Sequence, residues 1–144
     1  MIQSAARVGL AAISDQPLNA AQVALSVSDE RAGATVTFTG VVRNHDHGRS
    51  VAGIEYVGHP SAETIIVEVA SEFIDRPGLH AIAVEHRVGT LVVGDLAMVA
   101  AVSASHRAEA FSACSDLVDA IKARLPIWKH QQSADGTAEW SNCP

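Results

Sequence analysis

Apolar and polar positions follow two periods along this chain, and the longest helical period marks its most informative stretch. From Ser105 to Lys129, SHRAEAFSACSDLVDAIKARLPIWK, apolar residues recur at Phe111, Cys114, Val118, Ile121 and Leu125. These three- and four-residue steps trace one face of a helix. Ser105 is placed to cap the first turn, and Pro126 ends the helix by pushing Leu125 out of helical geometry. Elsewhere the pattern shortens. Arg7 to Ile13, Ala34 to Arg43 (ATVTFTGVVR), Val51 to Val57, Ala81 to Val88, Leu96 to Ser103 and Ile127 to Gln131 read as strands. A last short strand lies around Trp140, after a turn at Asp135-Gly136. Two further helices are expected. Asn19 caps a short one with Val23, Ala24 and Val27 inward, and Ser61 to Asp75 forms the other, with Ala62, Ile65, Ile66, Val69, Ala70 and Phe73 on one side. The strands at Ala34–Arg43 and Val51–Val57 are expected to pair as a hairpin across the polar loop Asn44 to Ser50. Irregular alternation of strands and helices predicts an α+β fold with a mixed, mainly antiparallel sheet. Its 144 residues suit one domain, 1–144, with a sizeable core.

The long helix also holds an anomaly of charge. The chain has ten Lys+Arg positions, of which only Lys122 and Lys129 are lysines, and they flank Pro126. At about 100° per residue, Lys122 projects about 20° from Phe111, and Arg107 falls on the same arc. A single lysine there can lay its methylenes over the core and carry its ammonium out to water. Arg107 on the same arc and Lys129 just past the breaker make a cationic pocket the stronger reading.

Composition narrows the partners. The formal net charge is −6, which argues against a nucleic-acid surface; an anion would be held by a local cluster against the overall field. Two cysteines, Cys114 and Cys143, make no disulfide framework, which points to a reduced, cytoplasmic setting. The N-terminal stretch lacks a cationic start followed by a long apolar run, so no signal peptide is expected. Leu91 to Val102, broken by Asp95, is too short to cross a bilayer, so no membrane contact is expected.

Familiar chemical signatures are missing. There is no phosphate-cradling glycine loop, no C-x-x-C, no H-E-x-x-H and no G-x-S-x-G. His45-x-His47 lacks a third ligand at a metal-site spacing, so neither metal nor cofactor is expected and these read as solvated loop histidines. Arg43 and Arg49 bracket that loop, and their guanidinium forks suit phosphate or carboxylate. The remaining set, Arg43, His106, Arg107, Lys122 and Lys129, suits an anionic substrate and acid–base help from a desolvated lysine. A non-catalytic subunit receiving a partner's C-terminal carboxylate fits the same residues. So does a hydrolase or acyltransferase using His106.

The chain resembles the large, catalytic subunit of molybdopterin synthase from Gly33 to Trp140. The markers are Phe38-Thr39-Gly40-Val41-Val42-Arg43, Ile54-Glu55-Tyr56, His86-Arg87-Val88-Gly89 with Gly94-Asp95, Ser105-His106-Arg107 with Ala110-Phe111, and Lys122 with Pro126-Ile127-Trp128-Lys129. The resemblance implies an α/β-hammerhead-like fold with a β-rich subdomain. It implies a sulfurtransferase that converts cyclic pyranopterin monophosphate to molybdopterin in molybdenum cofactor biosynthesis. The sulfur would come from a thiocarboxylate on the Gly-Gly C-terminus of a small ubiquitin-like subunit, and two large subunits would form a central dimer. Lys122 and Lys129 match the family's essential lysines. Arg43 matches a substrate-pocket arginine, with Phe38 in the same motif. His106 and Arg107 match a pair reaching the pocket from the neighbouring large subunit, close to the substrate phosphate. Two departures stand out. Val57-Gly58-His59 follows Glu55-Tyr56 where many relatives have a glutamate, an alanine and a tyrosine. No arginine follows Trp140 in this sequence, so the resemblance assigns no residue here to a tail contribution to the pocket.

Overall fold

The computed structural model describes residues 6–46, 49–133 and 138–142. His47, the Asp135-Gly136 turn and Cys143 lie outside the described residues. The first sheet is built on two apolar strands, β5 (Leu79–Arg87) and β7 (Leu96–Ala104), paired antiparallel. β1 (Arg7–Ser14) runs parallel to β5 on one side, and β2 (Ala34–Val41) runs antiparallel to β7 on the other. The order is therefore β1-β5-β7-β2, a mixed sheet with one parallel pair.

Nearly continuous apolar runs in β5 and β7 follow from burial on both faces. Ile82, Val84, Ala100 and Val102 pack against α2 (Ala62–Ser71) and α3 (Arg107–Arg124). Ala81, Ala83, Val99 and Ala101 face the other way, onto Val23 and Val27 of the segment around α1 (Ala20–Leu25). As expected, Asn19 caps α1, its side-chain oxygen accepting from the Gln22 N–H at 3.1 Å.

A second sheet centres on β4 (Arg49–Gly58). It pairs antiparallel with β3 (His45–Asp46), β6 (Gly89–Val92) and β8 (Ile127–Ser133), and β8 pairs with β9 (Ala138–Asn142). Gly89, at φ +102°, lets the chain leave the first sheet and enter the second at once. Just before it, the Val88 N–H donates to the Ser14 carbonyl at 2.8 Å and keeps that residue on the first sheet.

Four details differ from the sequence reading. The Ala34–Arg43 and Val51–Val57 strands form no hairpin; they belong to different sheets, because the almost wholly apolar β7 takes β2 as its outer neighbour and leaves the second strand to pair with β6 and β8. β6 was not anticipated, since its four residues sit inside what reads as a glycine-bounded turn. The N-cap of α3 is His106, not Ser105, whose hydroxyl instead lies 2.8 Å from His80 Nε2. Finally, the buried face of α3 is Ala110, Ala113, Cys114, Leu117, Val118 and Ile121, while Phe111 is 62% exposed. The apolar stripe is thus rotated away from Phe111, Arg107 and Lys122, which share its flank. Pro126 does end the helix, with Leu125 extended at ψ 122°.

One polar residue of β5 lies deep inside. His86 is 1% exposed, and burial holds its imidazole well below the ordinary value, at about 4, with the Lys122 charge acting the same way. A hydrogen bond to the Arg87 carbonyl opposes this only in part. With an ordinary histidine value of 6.5, the unfolded chain takes up this proton first as pH falls. Folding stability from His86 is therefore intact above about pH 6.5 and declines toward pH 4, by on the order of 3 kcal/mol in all. Urea unfolding of wild type and His86→Gln at neutral and mildly acidic pH checks this. Wild type should lose about 2 kcal/mol more than the variant between pH 7.5 and pH 5; parallel losses would contradict it.

Candidate functional site

Where the second sheet meets the first, a pocket of about 320 Å³ opens between them. Its three cations come from separate parts of the chain: Arg43 just after β2, Lys122 in the last turn of α3, and Lys129 on β8. Among the described residues, no carboxylate lines it. In a chain of net charge −6, these three side chains make a local concentration of positive charge, which is what holding an anion would require.

Local structure explains how each cation arrives. Arg43 follows a backbone clasp in which the Val42 N–H donates to the Asp95 carbonyl at 2.9 Å and the Gly94 N–H donates to the Val42 carbonyl at 2.8 Å. Asp95 is itself held, its carboxylate accepting from the Val92 N–H at 2.9 Å and lying 3.5 Å from Arg87. Lys122 sits beyond the buried stripe of α3 and is exposed, so the desolvated setting expected for it is not found. Lys129 is half-buried. The period of two along β8 puts Ile127, Lys129 and Gln131 on one face and Trp128 and His130 on the other. On that outer face His130 stacks on Trp140 with ring centres 4.3 Å apart. On the inner face Lys129 pairs with Tyr56 and Gln131 with Ile54, and all four line the pocket.

The interior of the pocket is polar but uncharged. His86 Nδ1 lies 2.8 Å from the Arg87 carbonyl oxygen. A carbonyl only accepts, so this nitrogen carries the proton and Nε2 is the acceptor. The Tyr56 and His86 rings meet edge-to-face, 5.2 Å apart. Gln131 is 1% exposed.

Three of the anticipated residues therefore converge and three do not. Arg43, Lys122 and Lys129 line one pocket. Phe38 lines a separate shallow apolar groove with Phe111, Cys114 and Val118. His106 and Arg107 are exposed at the opposite end of α3, about 22 Å along the axis from Lys122 at ~1.5 Å per residue. Sequence reasoning missed His45, His86 and Gln131. His45, read as a solvated loop residue, lines the pocket with Nδ1 2.8 Å from Asn44 Oδ1. The signal for Gln131 was present in the alternation that placed Lys129. That for His86 was a lone histidine in the apolar run AIAVEHRV.

Comparison with known proteins identifies the family. The sequence model of the MoaE protein family matches residues 13–124. The chain is 37% identical over 129 residues to molybdopterin synthase catalytic subunit 1 of Mycobacterium tuberculosis, covering 89% of this chain and 87% of that protein. It is 33% identical over 131 residues to the molybdopterin synthase catalytic subunit of Nostoc sp., covering 90% and 79%. The crystal structure of molybdopterin synthase from Staphylococcus aureus superposes with a TM-score of 0.83 at 32% identity, covering 92% of this chain and 96% of that one. By sequence and by fold, this chain belongs to the MoaE family of molybdopterin synthase catalytic subunits.

Proposed function

We propose that this chain moves sulfur from the thiocarboxylated C-terminus of a small ubiquitin-like subunit onto cyclic pyranopterin monophosphate, yielding molybdopterin. One observation carries the reading: the chain's only two lysines, seven residues apart across a helix breaker, meet Arg43 in a single pocket with no carboxylate among its described lining residues. Both proposed ligands are anionic at the end that must be held, one a phosphate and the other a thiocarboxylate. Arg43 supplies a planar fork for phosphate oxygens, with two parallel charge-assisted bonds that a lysine does not copy. Lys122 and Lys129 supply point charges that polarise the thiocarboxylate carbonyl and protonate the departing group. Lys122, exposed at the rim, is also placed to meet the partner's terminal glycine. Once it has lost its proton, its amine can displace the thiocarboxylate sulfur, the amide C–N bond forming as the C–S bond breaks and the sulfide leaves toward the pterin.

The reading extends to the assembly. His106 and Arg107 are too far along α3 to serve the pocket of their own chain, so they act there only from a second copy. β2 is an outer strand of the first sheet; it carries exposed Val41 and half-buried Phe38, next to 62%-exposed Phe111 of α3. An open strand edge next to an apolar groove is a surface suited to self-association. The hydrolase reading loses its support, because His106 sits at the start of α3, apart from the cation cluster at its end. No helix among the described residues is long and apolar enough to cross a membrane.

Two predictions follow from the cation cluster and from the split across chains. Lys122→Ala and Lys129→Ala should each lower turnover by about 10²- to 10⁴-fold, the scale of a positioned acid or base. Melting temperatures should barely move, since neither lysine fills the core; near-normal turnover in Lys122→Ala would mean its ammonium only snorkels. The second concerns Arg107. Mixing Arg107→Ala with Lys122→Ala should form hybrid dimers with one intact pocket each and restore about a quarter of wild-type turnover, given random exchange across a two-fold interface. No recovery after verified exchange would place Arg107 outside the partner's pocket, as would a stable, fully active monomer by light scattering.

A further inference from the structure

The cations account for the anionic ends of the ligands, but they offer nothing that distinguishes one ring system from another. The pocket holds a group suited to that task. Gln131 is 1% exposed, and neither its side-chain oxygen nor its nitrogen has a hydrogen-bond partner among the described residues. Buried amides are nearly always satisfied, because a carboxamide stripped of water loses hydrogen bonds that the fold must replace. The position is no accident of the strand's edge. β8 is paired on both sides, with Gln131 opposite Ile54 on β4 and Glu139 on β9, and its side chain lies on the same face as Lys129. That face lines the pocket. An apolar residue would fill the same place at lower cost in the free protein.

We propose that Gln131 is a specificity-determining residue, whose carboxamide pairs with the uncharged donor–acceptor edge of the substrate's nitrogen heterocycle while the cations hold its phosphate. This rests on the sulfur-transfer reading above and deepens it. A glutamine offers an acceptor oxygen and two N–H donors side by side, which complement the adjacent carbonyl and N–H of a pyrimidinone-type ring. The last torsion of a glutamine is broad and soft, so a small rotation presents the amide to a ring lying on the pocket floor. His86 agrees in character: it is neutral, with Nε2 as acceptor, and adds no charge to the floor. Rim and floor then divide the work, charge outside and hydrogen-bond pattern inside.

The test uses the full chain and the near-isosteric Gln131→Met, with Gln131→Leu as a second variant. Three quantities are read: the melting temperature without ligand, and the affinities for cyclic pyranopterin monophosphate and for inorganic phosphate. The variant should melt higher than wild type, because an unsatisfied buried amide has been removed. It should bind phosphate as wild type does, since the cations are untouched. It should bind the pterin about tenfold more weakly or worse, the loss of one or two neutral hydrogen bonds. In turnover the change should fall on KM more than on kcat. Equal pterin affinity in wild type and both variants overturns the inference and leaves the sulfur-transfer reading standing. A variant that melts lower and keeps its pterin affinity also overturns it, making Gln131 structural. Wild type that turns over no pterin with a thiocarboxylated partner overturns the reading and this inference with it.

Discussion

The geometry of this protein depends on how α3 stops. Leu125 takes an extended conformation ahead of Pro126, yet its N–H still closes the last helical turn on the Ile121 carbonyl at 2.9 Å. Two residues later the chain is already a strand. The Pro126 carbonyl accepts from the His59 N–H at 2.9 Å, fixing the link against the end of β4. A helix turned so abruptly into a strand puts Lys122 and Lys129 on different walls of one cavity. A proline at this point removes the alternative of a longer helix, in which Lys129 would lie two turns beyond Lys122 along a single axis.

From that junction the rest of the site follows by strand arithmetic. β8 must continue against β4 in the register that sets Lys129 beside Tyr56 and Gln131 beside Ile54. A slip of one residue would turn both side chains outward and bring Trp128 and His130 inward. The first sheet supplies the opposite wall, with Arg43 held by the Val42–Gly94–Asp95 clasp and His86 carried in on β5. Two sheets are thus joined by Gly89 on one side and Pro126 on the other. The pocket is the seam between them.

Local signals in the sequence were read correctly where local physics decides. The Asn19 cap, the helix over Ala62–Ser71, the Pro126 stop and the convergence of the two lysines all needed only periodicity, capping chemistry and an unusual count of lysines. What was not legible depends on long-range pairing. Two strands separated by a polar loop look like a hairpin, and nothing in ATVTFTGVVR shows that its partner lies at Leu96–Ala104. The stripe of α3 was misplaced because its buried face begins on two small alanines, Ala110 and Ala113, which are weak in any periodicity count, and leaves Phe111 outside. His86 and Gln131 were passed over since a polar residue in a strand is ordinarily solvated; only the fold shows them enclosed.

The central claim is that both lysines and Arg43 form one ligand site. The scarcity of lysine gives it a direct test. Apart from the N-terminus, Lys122 and Lys129 are the only primary amines in the chain. Mild acylation with an amine-reactive reagent, read by mass spectrometry with and without cyclic pyranopterin monophosphate, therefore reports on the pocket alone. The account predicts that the pterin slows labelling of both lysines together, while the N-terminal amine reacts as before. Unchanged labelling of both lysines at a pterin concentration that saturates turnover would contradict it.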